Sequence, residues 1–297
     1  MKQIAILGPT ASGKSELALK VAKQHNAYIL SIDSLSLYKE VDIISAKPSK
    51  EELKEVRHFG INELYVNQYF SVELFIELYN KVADTAKKDG KNLVIVGGTS
   101  FYLKMLLDGL SKLPKISQEL HAKVENELQE LGKCYAVLES VDPEYMGKIA
   151  QNDRYRIEKA MLIYRGSKLP PSEYFAKNQP EPVIKNLPIY EIAVQRDLLR
   201  ERIELRTKKM IAAGAIDEVC FLEQKYTREP NPMHSIGIVE ILEYLDGYTT
   251  KEQMADAITT HTAQLAKRQQ TFNKNQFEGK ISNTLEYFQQ HLNSFFV

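Results

Sequence analysis

The chain has 297 residues, 43% hydrophobic and 26% charged, the balance of a globular protein with a sizeable core. Lys plus Arg and Asp plus Glu each number 39, so the formal net charge is zero, which excludes a globally basic nucleic-acid binder but not a local basic groove. Two cysteines, Cys134 and Cys220, cannot build a disulfide framework or a cysteine-rich zinc site; no apolar run suits a membrane span, and the opening does not read as a signal peptide, so a reduced, cytoplasmic setting is expected.

The apolar run Ile4–Leu7, closed by Gly8-Pro9, predicts a buried strand. Glu16 to Gln24 then alternates at helical spacing. Further strands are expected over Tyr28–Ile32, ending at Asp33, over Leu93–Val96, ending at Gly97-Gly98, and over Ile189–Val194, with a helical pattern over Ser71–Lys88. Short apolar strands separated by helices imply an α/β fold with a parallel sheet covered on both faces. Between residues 113 and 188 the texture changes to charged helices, Ser117–Leu131 and Arg154–Tyr164, followed by a Pro-, Lys- and Asn-rich stretch over Lys168–Pro188 that reads as a long connection. The expected organisation is a core of residues 1–112 and 189–297 carrying a helical insertion, 113–188. After Arg196 the chain reads as helical to its end: Leu198–Ala212, Ile216–Lys225, Gly237–Tyr244 and Lys251–Lys267.

Gly8-Pro9-Thr10-Ala11-Ser12-Gly13-Lys14-Ser15 fits G-x-x-x-x-G-K-S/T, between a predicted strand and a predicted helix as that motif requires. Backbone N–H groups and the helix N-terminus attract phosphate, Lys14 adds a full charge, and the Ser15 hydroxyl can ligate Mg²⁺. Such loops usually come with a metal-holding Asp at the end of another strand. Here Leu93–Val96 ends in Gly97-Gly98-Thr99, and Asp33 is the only acid at the sheet edge that faces the ligand crevice. Its residue type allows a metal ligand, a general base or a cap on the following turn. A nucleotide or small-molecule kinase shares the loop and the sheet; a non-catalytic RNA-binding module leaves the loop without a purpose.

Three runs then coincide: the loop; Asp33-Ser34-Leu35-Ser36-Leu37-Tyr38 with Asp42-Ile43 and Ala46-Lys47-Pro48; and Gly97-Gly98-Thr99-Ser100-Phe101-Tyr102. Leu265-Ala266-Lys267-Arg268-Gln269 follows near the C-terminus. From Gly8 to about Phe272 the chain resembles the tRNA dimethylallyltransferase (tRNA isopentenyltransferase) family. The resemblance implies a P-loop NTPase-like core and transfer of a dimethylallyl group from dimethylallyl diphosphate to the exocyclic N6 of an adenosine beside the anticodon. The loop, Gly8 to Ser15, would then hold a diphosphate leaving group with Mg²⁺, and no γ-phosphoryl transfer would demand the missing acid.

The same resemblance implies roles for single residues. Asp33 becomes the general base for adenine N6, a poor nucleophile because its lone pair is delocalised. Arg206, in a helix where the other charges read as ion pairs, assists diphosphate binding. Thr10 and Thr99 touch substrate, and Ser34, Leu35 and Ser36 line the adenosine pocket. His121, Arg156 and Lys159 in the insertion, with Lys267 and Arg268, contact the tRNA anticodon stem-loop, whose target base is extruded. The family usually has Arg at His121, an aromatic and a basic residue at Ile238-Val239, and Trp at Phe272; these departures bear on RNA contacts rather than on the diphosphate. A monomer with no membrane partner is expected.

Overall fold

The computed structural model describes residues 1–296. The chain divides into two compact units, one formed by Met1–Leu107 with the chain from Ile184 onward, the other by Asp108–Val183.

The first unit is built on six parallel strands: β1 (Gln3–Leu7), β2 (Ala27–Ser31), β3 (His58–Phe59), β4 (Asn92–Gly97), β5 (Ile189–Ile192) and β6 (Ile281–Asn283), in the order β3-β2-β4-β1-β5-β6. The central strands are apolar throughout because they are covered on both faces: Ile4 to Leu7 and Leu93 to Ile95 are fully buried. β1 pairs with β4 from Gln3↔Leu93 to Leu7↔Gly97, and β4 with β2 from Ala27↔Asn92 to Ser31↔Val96. This register brings the C-terminal ends of three adjacent strands to one edge. The phosphate loop, Asp33 and Gly98-Thr99 leave the sheet there side by side.

Helices α1 (Lys14–Gln24), α2 (Lys50–Glu55), α3 (Val72–Lys88) and α4 (Ser100–Asp108) follow the first strands. Leu17, Ala18, Val21 and Ala22 of α1 pack on Ile4, Ile6 and Val94. The second unit is a helical cluster of α5 (Gln118–Glu127), α6 (Leu131–Val141), α7 (Pro143–Met146), α8 (Arg154–Ser167) and α9 (Pro171–Lys177) around Val124, Leu138, Met146, Ile157 and Met161. The chain then returns through β5 to α10 (Arg196–Ala212), α11 (Ala215–Tyr226), α12 (Ile238–Leu245), α13 (Lys251–Gln276) and α14 (Leu285–Gln290). Among the described residues no helix is long and apolar enough to cross a membrane.

The structure corrects three readings. β3 and β6 extend the sheet beyond the four expected strands. Lys168–Pro188 is not a bare connection, since Pro171 opens α9 at a first-turn position where proline loses no hydrogen bond. The helix expected over Lys251–Lys267 runs on to Gln276, so the Lys267-Arg268-Gln269 run lies inside it rather than at its end.

Candidate active site

The phosphate loop turns sharply. Gly13 adopts φ 88°, where an L side chain is strained, and Ala11 sits in the same region at φ 60°. The turn aims the first N–H groups of α1 away from any intrahelical acceptor, the state an anion can use. The Lys14 ammonium folds back to donate to Pro9 O at 3.2 Å. Burial brings its pKa down to about 8; Asp33 pulls it back up, and Arg206 adds to the fall. Burial also lowers the Arg206 guanidinium from its ordinary value, against the pull of Asp33. Two cations held near each other in poor solvent are what a polyanion relieves.

Arg206 reaches the loop from α10 and donates from Nη1 to the Thr10 hydroxyl at 3.0 Å. Asp33 stands just past β2. Its Oδ1 accepts from Leu35 N at 3.0 Å and Ser36 N at 3.4 Å, the turn cap its residue type allows. Thr99 Oγ1 accepts from Ser34 N at 3.2 Å, tying the end of β4 to the Asp33 segment. Tyr102 stacks on Phe75 with centroids 4.6 Å apart; burial, then Tyr38 and Asp33, push its phenol up to about 12, which disqualifies it as a base at neutral pH.

Two cavities adjoin here. One, of about 540 Å³, is bordered by Leu35, Thr99, Phe101, Arg268 and Phe272 among others. The other, of about 300 Å³, is bordered by Ser15, Ser36, Lys47, His58 and Val96. Thr10, Lys14, Asp33, Ser45 and Arg206 border both.

Of the residues singled out in the sequence, the structure gathers Thr10, Lys14, Ser15, Asp33, Ser34, Leu35, Ser36, Thr99, Arg206 and Arg268 on these two cavities. Gly8, Pro9 and Ser12 are the buried residues of the loop itself, and Lys267 is exposed on α13. His121, Arg156 and Lys159 belong to the second unit. His121 is exposed on α5. Arg156 pairs with Asp153 at 2.5 Å, and Lys159 pairs with Glu158 at 3.3 Å and lies over the Tyr155 ring.

Sequence reasoning missed the groups that hold the cavity wall. Lys47, whose side chain is only 5% exposed, donates to Tyr38 O at 2.6 Å and to the carboxylate of Asp42 and the amide of Asn62, each at 2.7 Å. Burial lowers its pKa, with Asp42 opposing. Glu218 of α11 accepts the N–H groups of Asp42, Ile43 and Ile44 at 2.9, 2.8 and 3.0 Å. Together they fix the loop that presents Ile44 and Ser45 to the site. The Ala46-Lys47-Pro48 run was a signal for Lys47; nothing local to Glu218 signals its role.

A parallel sheet with a glycine-rich loop and helix after its first strand defines a phosphate-loop α/β protein, and the site adds Asp33, which borders both cavities together with the cations Lys14 and Arg206. The chain belongs to the IPP transferase family, whose model matches residues 36–276. It is 61% identical over 286 residues to a protein named tRNA dimethylallyltransferase from Sulfurimonas denitrificans, covering 96% of each chain. A full-length tRNA isopentenylpyrophosphate transferase from Bacillus halodurans superposes with a TM-score of 0.72 at 26% identity, over 98% of this chain and 94% of that one. A eukaryotic dimethylallyltransferase acting on tRNA shares the fold with a TM-score of 0.84 at 24% identity, over 97% and 75% of the two chains.

Proposed function

We propose that this protein transfers a dimethylallyl group from dimethylallyl diphosphate to N6 of the adenosine 3′-adjacent to the anticodon in tRNA. The observation that carries the reading is the position of Asp33, one carboxylate bordering two adjoining cavities with Lys14 and Arg206 beside it. The names of its relatives support tRNA as the acceptor. The smaller cavity suits the diphosphate and its five-carbon cargo, and the larger suits an extruded adenosine.

The bond between the allylic carbon and the diphosphate oxygen breaks, and the pair goes to oxygen. The loop N–H groups, Lys14 and Arg206 stabilise the charge as it develops. A new bond forms between that carbon and adenine N6, and the N6 proton passes to Asp33. Leu35 N and Ser36 N hold Oδ1, which leaves Oδ2 to receive the proton. Thr99 keeps Ser34, and with it the Asp33 turn, at the junction. Ser34 and Leu35 line the base pocket, whereas Ser36, expected there, borders the smaller cavity instead.

The residues fit Mg²⁺. Ser15 borders the smaller cavity and can offer its hydroxyl, and no group of three or more His, Cys, Asp or Glu that could cage a metal occurs among the described residues, so diphosphate oxygens and water would complete the shell. When bound, the ion adds positive charge beside the leaving diphosphate. Arg268 and Lys267 on α13 would meet the tRNA backbone, and His121, Arg156 and Lys159 of the second unit the anticodon arm. Every group invoked comes from one chain, so a monomer suffices, and a tRNA substrate suits the cytoplasm.

The test is incorporation of labelled dimethylallyl diphosphate into unmodified tRNA with Mg²⁺. Asp33→Ala should lower the transfer rate by roughly 10²–10⁴-fold while pyrophosphate binding survives. A near-normal rate in that variant refutes the base assignment. ATP consumption without prenyl transfer by the native chain refutes the function.

A further inference from the structure

Gln269 lies on α13, 259 positions along the chain from Thr10 of the phosphate loop. Its side-chain amide nevertheless joins two other segments. Oε1 accepts from Thr10 N at 3.0 Å, and Nε2 donates to Gly98 O at 3.0 Å. The orientation of the amide follows from its partners, since a backbone N–H can only donate and a carbonyl can only accept. A Cβ built on Gly98 would stand 2.4 Å from Gln269 Nε2, so glycine at 98 is what lets the amide reach the backbone.

Both partners sit one bond network away from the reacting groups. The Thr10 hydroxyl takes the Arg206 donor at 3.0 Å, and Thr99, next to Gly98, takes Ser34 N at 3.2 Å beside Asp33. The leaving-group end and the proton-accepting end of the site therefore meet on one amide. The bond to Gln269 also occupies Thr10 N–H, which leaves phosphate binding to the N–H groups that open α1.

We infer that Gln269 is a positioning residue that sets the spacing between the phosphate loop and the Asp33 segment. It rests on the transferase reading above. Each substrate binds largely to one side of the amide, so losing the clamp leaves the two affinities in place and separates the groups that must act together. A displacement of about 1 Å at such a site costs on the order of a hundredfold in rate.

The experiment measures label transfer from dimethylallyl diphosphate to unmodified tRNA, with pyrophosphate and tRNA affinities and melting temperature in parallel. Gln269→Met keeps an unbranched chain of similar length and removes both hydrogen bonds. Its kcat should fall about ten- to hundredfold, with both affinities near native values and the melting temperature lowered by only the few degrees that two lost hydrogen bonds cost. A kcat within about twofold of native overturns the inference, as does a loss confined to melting temperature or to affinity.

A second arm uses Gly98. Gly98→Ala alone should displace the amide and lower kcat as Gln269→Ala does. Added to Gln269→Ala, where the struck side chain is gone, it should cost nothing more, because residues acting through one contact are not additive. Losses that multiply show the two residues acting independently and overturn the inference. A native chain that transfers no label instead overturns the transferase reading; an active native chain with an equally active Gln269→Met variant overturns this inference alone.

Discussion

Lys14→Met tests whether the site is strained by its own charge. A fall from the ordinary 10.5 to about 8 corresponds to about 3 kcal/mol against the charged form in the folded chain. The residue as a whole is only half-buried, so screening by water recovers part of that cost. Methionine also gives up the bond to Pro9 O at 3.2 Å, worth roughly 0.5–1.5 kcal/mol. The net expectation at neutral pH is a ligand-free variant more stable than the native chain by about 1 kcal/mol, or some 2–4 °C in melting temperature. Below pH 8 the lysine is charged in the folded and unfolded chains alike, so the cost is complete. From about 8 to 10.5 the folded chain sheds its proton while the unfolded chain keeps it, and the cost fades. The melting gap should therefore close as pH rises through that window. Pyrophosphate should reverse the order, stabilising the native chain more than the variant. Calorimetric scans from pH 7 to 10, with and without pyrophosphate, decide it. A variant that melts below the native chain at pH 7 without ligand, or a gap indifferent to pH, refutes the reasoning.

Arg206→Leu removes the Thr10 hydroxyl's donor and one of the two cations. Pyrophosphate affinity should fall roughly 10- to 100-fold by titration calorimetry, the range of one charge-assisted hydrogen bond, and Arg206→Lys should recover only part of it. An unchanged affinity in the leucine variant removes Arg206 from the leaving-group site. Glu218→Gln puts an amide N–H₂ against one of three backbone N–H groups at 42–44. We expect a loss of about 1–3 kcal/mol in denaturant unfolding and a raised KM for tRNA, because Ser45 and Ile44 border the larger cavity. Unaltered stability and KM would show that the loop holds its shape without the carboxylate.

Much of the sheet was legible because its central strands are short, apolar on both faces and closed by turn residues. The strand-end rule placed Asp33 at the site before any contact was known. β3 was not legible: His58 and Phe59 are two half-buried residues whose strand character comes only from pairing with β2. β6 is largely exposed, so Ile281 to Asn283 carry no burial pattern. α9 was hidden by the proline-rich composition that in fact starts it. α10 is a harder case. Charged residues occur all round it, so spacing cannot say which arginine turns inward, and only family resemblance pointed to Arg206. Gln269 and Glu218 mark a limit of a different kind, since each acts on backbone more than 170 residues away in sequence and no local pattern encodes that meeting.

The absent acid at the end of β4 becomes a geometric statement once the structure is known. A Cβ on Gly97 would lie 2.7 Å from Ile32 Cγ1, 2.8 Å from Ile32 C and 2.9 Å from Asp33 N. Real Cβ atoms do not approach backbone so closely, so no carboxylate can stand at that position while β2 and β4 keep their register. At Gly98 the obstacle is a side chain rather than backbone: a Cβ there would stand 2.4 Å from Gln269 Nε2 and would have to displace that amide. The close packing that denies a side chain to the end of β4 also brings the Asp33 backbone against that strand and ties Ser34 to Thr99 at 3.2 Å. Asp33 is thus carried just past the neighbouring strand, at the border of both cavities rather than over the phosphate loop alone. On the proposed transfer, an acid placed there would take a proton from an acceptor that arrives from the larger cavity, while the loop, Lys14 and Arg206 would hold what departs.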